Sequence, residues 1–321
     1  MTVPALSIVL PVHNDGIYAV STIARLASQT RGDFECVVVD DGSTDGSGNV
    51  IAGAIASDRR FRLEPLEPAA GQGAARNLGL RSTSAEWVWF VDADDEPRDD
   101  FVERMLECVQ PTVDLVVCRA LERRGTVATP LPLPGGRPPL SPAELVGELL
   151  RGNVRGYVWN RIFRRTVLGA DPFPDLTSKQ DIVAMVEIAP RCRATAVLDE
   201  PLYTYVRRGD SVTGGRANRA SNALVPARRV AEADWAGRRL STADDRALYA
   251  LLGATSYAHD AARFAGAGSR ESDTQARRLV TTRGLARAVR LGRHALAVKA
   301  AALWVSPRLY VRAIALAGRR S

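Results

Sequence analysis

The segment FECVVVDDGSTDGS, residues 34–47, joins a short apolar run directly to a polar turn. The run Phe34–Asp40 is almost continuously apolar, as expected of a strand that is covered on both faces. Asp, Gly and Ser favour a turn after it, and the next helix is predicted over Gly46–Ser57. This order predicts one unit of a parallel sheet with crossover helices.

The same alternation extends to both sides of this segment. Further strands are predicted at Leu6–Val12, Phe61–Leu66, Trp87–Asp92 and Val113–Cys118. Further helices are predicted at Tyr18–Gln29, Gly73–Ser82 and Asp99–Val109. The predicted fold class is therefore α/β, with a Rossmann-like, mostly parallel sheet flanked by helices.

The later residues follow a different pattern. The Pro- and Gly-rich stretch Thr129–Pro142 predicts a surface loop, because proline cannot continue a helix or a central strand. Beyond it, Ala143–Arg151 and Asp181–Ile188 predict helices, and Thr195–Arg207 predicts a β-hairpin or extended pair. From about Ser221 onward only helices are predicted.

Composition narrows the classes of protein. The chain has no run of 18 apolar residues and no signal-peptide pattern, so we expect a cytoplasmic protein that does not span the membrane. Its four cysteines lack C-x-x-C spacing and are predicted to be buried thiols. Residues 274–321 hold eleven basic and no acidic residues, whereas residues 1–273 hold 32 basic and 36 acidic ones. No recognition motif accompanies this basic tail, which argues against nucleic acid as a partner.

Unusual polar residues follow three predicted strands and open one helix. They are PVHND at 11–15, DDGSTD at 40–45, GQGAARN at 71–77 and DADD at 92–95. Because ligands bind outside the carboxyl ends of the strands in an open parallel sheet, these segments predict one binding site.

The DADD segment predicts a metal site. Asp92 and Asp94 offer hard oxygen ligands of the kind that Mg²⁺ and Mn²⁺ take together with phosphate oxygens. An acidic turn that caps the helix near Arg98 is the alternative.

The other segments favour a nucleotide. An Asp at the end of the predicted strand Phe34–Asp40 can accept hydrogen bonds from a base or ribose. Gly71-x-Gly73 allows an anion to approach a helix N-terminus.

Together these segments resemble the family 2 glycosyltransferases, which use nucleotide-diphospho-sugars and have the GT-A fold. The resemblance implies that Asp40 or Asp41 contacts the base or ribose, that Arg76 lies beside the nucleotide, and that Asp92 and Asp94 reach the ribose and the metal, Mn²⁺ or Mg²⁺. It also places Pro11, His13 and Asn14 at the nucleotide, with His13 in place of the usual Tyr. These residues match the family's PVYN, DDGS, ARN and D-x-D motifs.

The resemblance continues to residue 214. The run VWNRIFRR at 158–165 resembles the family's W-N-K-L-F-R segment, and 202–213 resembles its Y-x-R-x-G-S-x-T stretch. Gln180 stands where relatives carry Glu, and the Asp that follows is retained as Asp181. We therefore expect a catalytic domain over 1–214, with a nucleotide-sugar half at 1–120 and an acceptor half at 121–214, and a helical region over 215–321.

The implied activity is transfer of a sugar, with inversion, from a nucleotide diphosphate donor, most commonly a UDP-sugar, to a hydroxyl acceptor. Asp181 is the predicted general base, although it can also serve as a helix N-cap. A glycan, polyol-phosphate or lipid-linked acceptor at the cell surface fits the resemblance, and a homo-oligomer is left open. A catalytically weak or inactive nucleotide-sugar-binding scaffold is the alternative, since Gln180 carries no charge. A sugar-phosphate nucleotidyltransferase would need a G-x-G-T-R loop directly after the first predicted strand. This chain has PVHND there, which argues against that class.

The basic tail predicts contact with an anionic membrane at its inner face. Arg283, Arg287, Arg290 and His294 share one helical face, while Leu285, Val289 and Leu296 share another. The run Ala295–Val305 is too short to cross a bilayer but ends near an interfacial Trp304, and Arg308 and Arg312 follow Pro307. The alternative is a helical packing or oligomerisation region whose arginines are solvated.

Overall fold

The computed structural model describes residues 3–136, 138–208, 220–233, 239–263 and 269–317. The predicted boundary at 214/215 and the end of the 202–213 stretch lie outside these residues.

A parallel sheet forms the first half of the fold. Its strands are β1 (Leu6–Val12), β2 (Phe34–Asp40), β3 (Phe61–Pro65) and β4 (Trp87–Phe90), in the order β3-β2-β1-β4. The first two strands have the predicted bounds, and the other two end one or two residues early. Every residue of β1 is buried, which explains its continuous apolar sequence.

Helices cover this sheet between the strands. They are α1 (Gly16–Ala27), α2 (Ser47–Ile55), α3 (Gln72–Arg81) and α4 (Phe101–Glu107), each within about two residues of its predicted bounds. The carboxyl ends of β1, β2 and β4 therefore open on the same edge, beside the start of α3.

The second half extends the sheet with mixed pairing. It adds β5 (Glu96–Pro97), β6 (Leu115–Arg124), β7 (Val127–Pro130), β8 (Arg161–Arg164) and β9 (Thr195–Val206). β8 pairs antiparallel with both β4 and β6, while β9 pairs parallel with β6 and antiparallel with β5. The α/β fold class is confirmed, with purely parallel pairing among β1 to β4 and mixed pairing in the second half.

Two local expectations need correction. Thr195–Arg207 is no hairpin, because β9 runs through Pro201 as one strand and absorbs it with register shifts opposite Arg119. The expected loop 129–142 also contributes the end of β7, an edge strand paired with β6 alone among the described residues. Its last residue starts α5 (Pro142–Leu150), where Ser141 forms a capping box with Glu144.

Helices dominate after β8, as predicted. They are α6 (Arg165–Leu168), α7 (Gln180–Ile188), α8 (Val225–Glu232), α9 (Ala243–Arg263), α10 (Arg270–Leu279), α11 (Thr282–Arg290), α12 (His294–Val305) and α13 (Pro307–Ala317), with short 3₁₀ turns at Ala189–Arg191 and Ala220–Leu224. The C-terminal helices surround α9 and share a separate apolar core. Within the described ranges, no helix is long and apolar enough to cross a membrane.

The arginines of α11 face α9. Arg287 pairs with Asp245 at 2.8 Å, and Arg290 pairs with Asp244 at 2.5 Å. Arg283 lies 3.7 Å from Asp244. The basic face predicted on this helix thus lies against the acidic first turn of α9, and its arginines are ion-paired, whereas the packing alternative expected them to be solvated.

Candidate active site

Hydrogen bonds join the loops that follow β1 and β2. His13 Nδ1 lies 2.6 Å from the Asp41 carbonyl oxygen, and the Asn14 side chain accepts from the Thr44 amide at 2.8 Å. The His13 and Asn14 side chains are exposed, whereas Pro11 is buried within β1 opposite Val39. Two of the three residues from the opening segment are therefore open to a ligand.

The two aspartates after β2 hold backbone. Asp41 is buried, and its two carboxylate oxygens accept from the amides of Ala70 and Gly71 at 2.7 and 2.8 Å. Asp40 accepts from the Ser43 amide at 3.0 Å and is partly exposed. Asp41 thereby fixes the entry to α3, and Asp40 is the more accessible of the pair.

Arg76 brings two predicted site residues together. One amino group of its guanidinium, Nη2, donates to Asp92 at 2.6 Å, and the other, Nη1, donates to Asp181 at 2.5 Å. The Arg76 side chain is fully buried, while Asp92 and Asp181 are 18% and 24% exposed. The predicted metal-site carboxylate and the predicted base therefore flank one buried cation and both reach the surface.

Burial and the oppositely charged neighbours shift the pKa values of Asp181 and Arg76 in opposite directions. Burial raises the pKa of the Asp181 carboxyl above its usual value, and the Arg76 charge opposes that rise. Burial also disfavours the Arg76 charge, but Asp181 and Asp92 outweigh it and raise the Arg76 pKa. The Phe173 ring lies 5.3 Å from the guanidinium carbon, and the Arg76 Nε is buried without a hydrogen-bond partner.

Asp181 lies at the second position of α7 and is not its N-cap, which is Lys179 with φ of 68°. Gln180 before it is buried against α3, where a Cβ on Gly73 would lie 3.4 Å from the Gln180 Cγ. The carboxylate of Asp181 is thus directed to Arg76 by the packing of two helix N-termini.

Arg208 is a site residue that sequence reasoning did not single out. It pairs with Asp94 at 2.8 Å and with Asp15 at 3.3 Å, and its guanidinium lies 3.8 Å from the centre of the Tyr18 ring. Burial, and then the charge of Asp92, raise the pKa of Asp94 above its usual value. The basic pair Arg207-Arg208 after β9 was the available signal, but nothing local indicated which carboxylate it meets.

Asp95 is a third carboxylate in the same loop and has a structural role. Its oxygens accept from the Tyr203 hydroxyl and the Val206 amide, both at 2.9 Å. Burial and the charges of Asp92 and Asp94 hold the pKa of Asp95 well above its usual value. These bonds attach the DADD loop to β9, so that β9 positions the metal-site candidates.

The carboxylates Asp92 and Asp94 fit a divalent cation that would take its other ligands from a diphosphate. Asp92 and Asp94 supply partly exposed hard oxygens, and Arg208 already places a positive charge against Asp94. In the described part of the chain, no group of three or more His, Cys, Asp or Glu residues is arranged to hold a metal. The remaining ligands would therefore come from phosphate and water.

A sequence profile described as "Glycosyl transferase family 2" matches residues 7–169, half of the chain. The chain belongs to this family. It is 31% identical to the putative glycosyltransferase EpsH of Bacillus subtilis over 64% of this chain and 61% of that protein. It is 33% identical to the glycosyltransferase GlyG of Streptococcus pneumoniae over 33% of this chain and 35% of that one. The chain thus matches less than two thirds of either relative.

Solved structures confirm the fold expected of family 2. TarS 1–349 of S. aureus in complex with UDP-GlcNAc is 18% identical, with a TM-score of 0.68 over 95% of this chain and 91% of that one. The mannosyltransferase PcManGT of Pyrobaculum calidifontis in complex with GDP-Man and Mn²⁺ is 18% identical, with a TM-score of 0.54 over 95% and 88%. The GT-A architecture and the helical C-terminal region are both supported by this likeness.

Proposed function

We propose that this family 2 protein is a glycosyltransferase that moves a sugar, with inversion, from a nucleotide diphosphate donor to a hydroxyl. The carrying observation is the Asp92–Arg76–Asp181 bridge, which brings a donor-side carboxylate and a second accessible carboxylate to the same buried cation. UDP is the proposed nucleotide, in keeping with the bound UDP-GlcNAc of the TarS structure.

The donor side lies at the strand ends. His13, Asn14 and Asp40 line the proposed nucleoside pocket, Pro11 supports it from its buried position in β1, and Asp41 holds the Ala70–Gly71 backbone beside it. Asp92 and Asp94 would hold Mn²⁺ or Mg²⁺, which supplies positive charge at the leaving nucleotide diphosphate. The buried Arg76 orients Asp92 for this role through its hydrogen bond to that carboxylate.

The acceptor side is built on Asp181. This carboxylate takes the proton from the acceptor hydroxyl while the hydroxyl oxygen forms the new bond to the sugar carbon. The bond from that carbon to the diphosphate breaks on the opposite face, and the electron pair leaves with the diphosphate. Inversion needs a single base, and burial makes the Asp181 carboxylate a stronger base than an exposed one.

The proposed acceptor is a glycan, polyol-phosphate or lipid-linked molecule of the cell envelope. Such acceptors place the enzyme in the cytoplasm at the inner face of the membrane. The second candidate function, a nucleotide-sugar-binding scaffold with little or no activity, is favoured only by the neutral Gln180 that precedes the proposed base.

Donor hydrolysis and calorimetric binding of UDP-sugars test the proposal. We expect Mn²⁺-dependent hydrolysis that Asp94→Asn abolishes. Asp181→Asn should keep donor binding and lower turnover about 10²–10⁴-fold, the usual contribution of a general base. Asp171→Asn, an exposed carboxylate paired with Arg81, is the matched control and should behave as wild type.

One result would contradict the enzyme, and two others would contradict the proposed roles of Asp181 and of the metal. Donor binding without any turnover in the wild-type protein would favour the scaffold. Near-normal turnover of Asp181→Asn would remove Asp181 from the base role, and activity that survives both EDTA and Asp94→Asn would remove the metal.

A further inference from the structure

Helix α12 carries an apolar stripe that is largely exposed. Val298, Ala301, Ala302 and Val305 are exposed and recur at steps of three and four residues, so they share one helical face. Val298 and Val305 are each 69% exposed. An apolar stripe of this kind is unusual for a helix in water.

The opposite face of α12 already has its partners. Ala297, Ala300 and Leu303 are buried in the C-terminal core around α9. The exposed stripe is therefore a second apolar face, and it is not needed to attach the helix to the protein.

Exposed apolar side chains also occur where α12 ends and α13 begins. Trp304 at the end of α12 is 50% exposed, and Leu309 in the first turn of α13 is 67% exposed. We call the exposed faces of α12 and α13, from Val298 to Ala313, the terminal surface. Aromatic and aliphatic side chains of this kind are favoured at the boundary between lipid headgroups and acyl chains.

The charges of the terminal surface have one sign. Lys299, Arg308 and Arg312 are exposed beside the apolar stripe. Residues 274–321 contain no acidic residue, although Arg308 lies 3.6 Å from the carboxylate of Asp273 in α10. An apolar stripe flanked by cations matches the headgroup region of an anionic bilayer.

We propose that the terminal surface binds an anionic lipid bilayer, with the α12 stripe inserted among the headgroups and Lys299, Arg308 and Arg312 against lipid phosphates. A second copy of the chain fits this surface less well. A symmetric contact would bring two surfaces of the same positive charge together. Arg287 of α11 is not part of the proposed contact, because it is mostly buried against Asp245.

Sedimentation of the full chain with vesicles tests this surface. Phosphatidylglycerol-containing vesicles are compared with pure phosphatidylcholine vesicles at low and at high salt. We expect salt-sensitive binding to the anionic vesicles only. The double variant Lys299→Gln/Arg312→Gln should weaken it by about fivefold for each cation removed.

A second pair of variants isolates the apolar stripe. Val298→Ser/Val305→Ser should weaken vesicle binding at both salt concentrations, because it removes buried apolar area rather than charge. Val127→Ser is the matched control, since Val127 in β7 is also largely exposed and lies outside the terminal surface.

Three outcomes would overturn the proposal. They are equal binding to neutral vesicles, vesicle binding that neither double variant changes, and a dimer in size-exclusion chromatography that the valine variant dissociates while no vesicle binding occurs. The proposal goes beyond glycosyl transfer, and sedimentation requires no turnover. UDP-sugar binding measured on the same preparations therefore separates its failure from failure of the proposed activity.

Discussion

At the scale of single residues, Arg76 has the most demanding environment in the candidate site. Its guanidinium is fully buried, and each of its amino groups donates to a carboxylate, which compensates for the lost hydration of the charge. Asp92 comes from the end of the parallel sheet and Asp181 from the start of α7. The same pair of bonds therefore holds the two halves of the proposed site in register.

Loss of the Arg76 charge should be costly. Arg76→Gln leaves two partly buried carboxylates facing each other without a cation, and we expect unfolding to become easier by about 3–5 kcal/mol. Arg81→Gln on the same helix α3 is the control, because its exposed pair with Asp171 should contribute about 0–1 kcal/mol. Urea unfolding at neutral pH measures both. Equal losses would mean that the buried bridge has no special weight.

The raised pKa of Asp181 predicts the acid limb of the pH profile. The base acts only when deprotonated, so turnover at saturating donor should fall as pH drops through the Asp181 pKa. Because burial raises that pKa, the midpoint should lie above the value of about 3.9 of an exposed Asp. In Arg76→Gln the opposing charge is lost and the midpoint should move higher still. A midpoint at the ordinary value, unchanged by that variant, would contradict this account.

At the scale of elements, the close approach of α3 to the sheet positions Arg76. Gly79 faces β1, and a Cβ there would lie 2.4 Å from Val9 Cγ1 and 3.2 Å from Val39 Cγ2. A glycine at this position lets the helix lie directly on two parallel strands. Any larger residue would lift α3 and move Arg76 with it.

Gly79→Ala should therefore destabilise the fold by about 1–3 kcal/mol through overpacking. Gly53→Ala in α2 is the matched control, because its new methyl group would meet no atom within 4 Å. Since alanine favours a helix more than glycine does, that variant should be about 0.5–1 kcal/mol more stable than wild type. Thermal or urea unfolding distinguishes the two signs. A stabilising Gly79→Ala would show that α3 has room to shift.

At the scale of the whole molecule, a buried charge connects the sheet domain with the C-terminal helices. Asp245 in α9 is 5% exposed and pairs with Arg151 after α5 at 3.1 Å and with Arg287 of α11 at 2.8 Å. Arg293, which follows α11, also donates to the Arg151 carbonyl oxygen and to Asn153. The C-terminal helices are thereby attached to the segment after α5 by charged hydrogen bonds.

Asp245→Ala leaves both arginines without this partner and should cost about 1–3 kcal/mol of unfolding free energy. Asp244→Ala is the control at the neighbouring position, since Asp244 is 32% exposed and pairs with exposed arginines, an arrangement that contributes about 0–1 kcal/mol. Chemical unfolding followed by circular dichroism measures both. An Asp244 effect as large as that of Asp245 would contradict a buried connection.

Much of the architecture could be predicted because its signals are local. The apolar runs of β1 and β2 have the predicted bounds, since a strand that is buried on both faces is mostly apolar along its length. The site edge followed from the same signals, because polar residues at the ends of parallel strands must meet. Turn residues alone did not predict β9 correctly. Pairing with β5 and β6 on its two sides keeps it one continuous strand that includes Pro201.

Ion-pair partners that are distant in the chain could be identified only from the folded structure. Arg76 meets Asp181 across 105 residues, and Arg208 meets Asp94 across 114, and no periodicity near these arginines identifies those carboxylates. The basic face of α11 has the same local pattern whether it meets lipid or α9, and only the folded structure shows its arginines paired with Asp244 and Asp245. Sequence spacing specifies which side chains share a strand end or a helical face. Which opposite charge each one meets depends on how the elements pack, because Coulomb and hydrogen-bond energies act over a few ångströms in space and not along the chain.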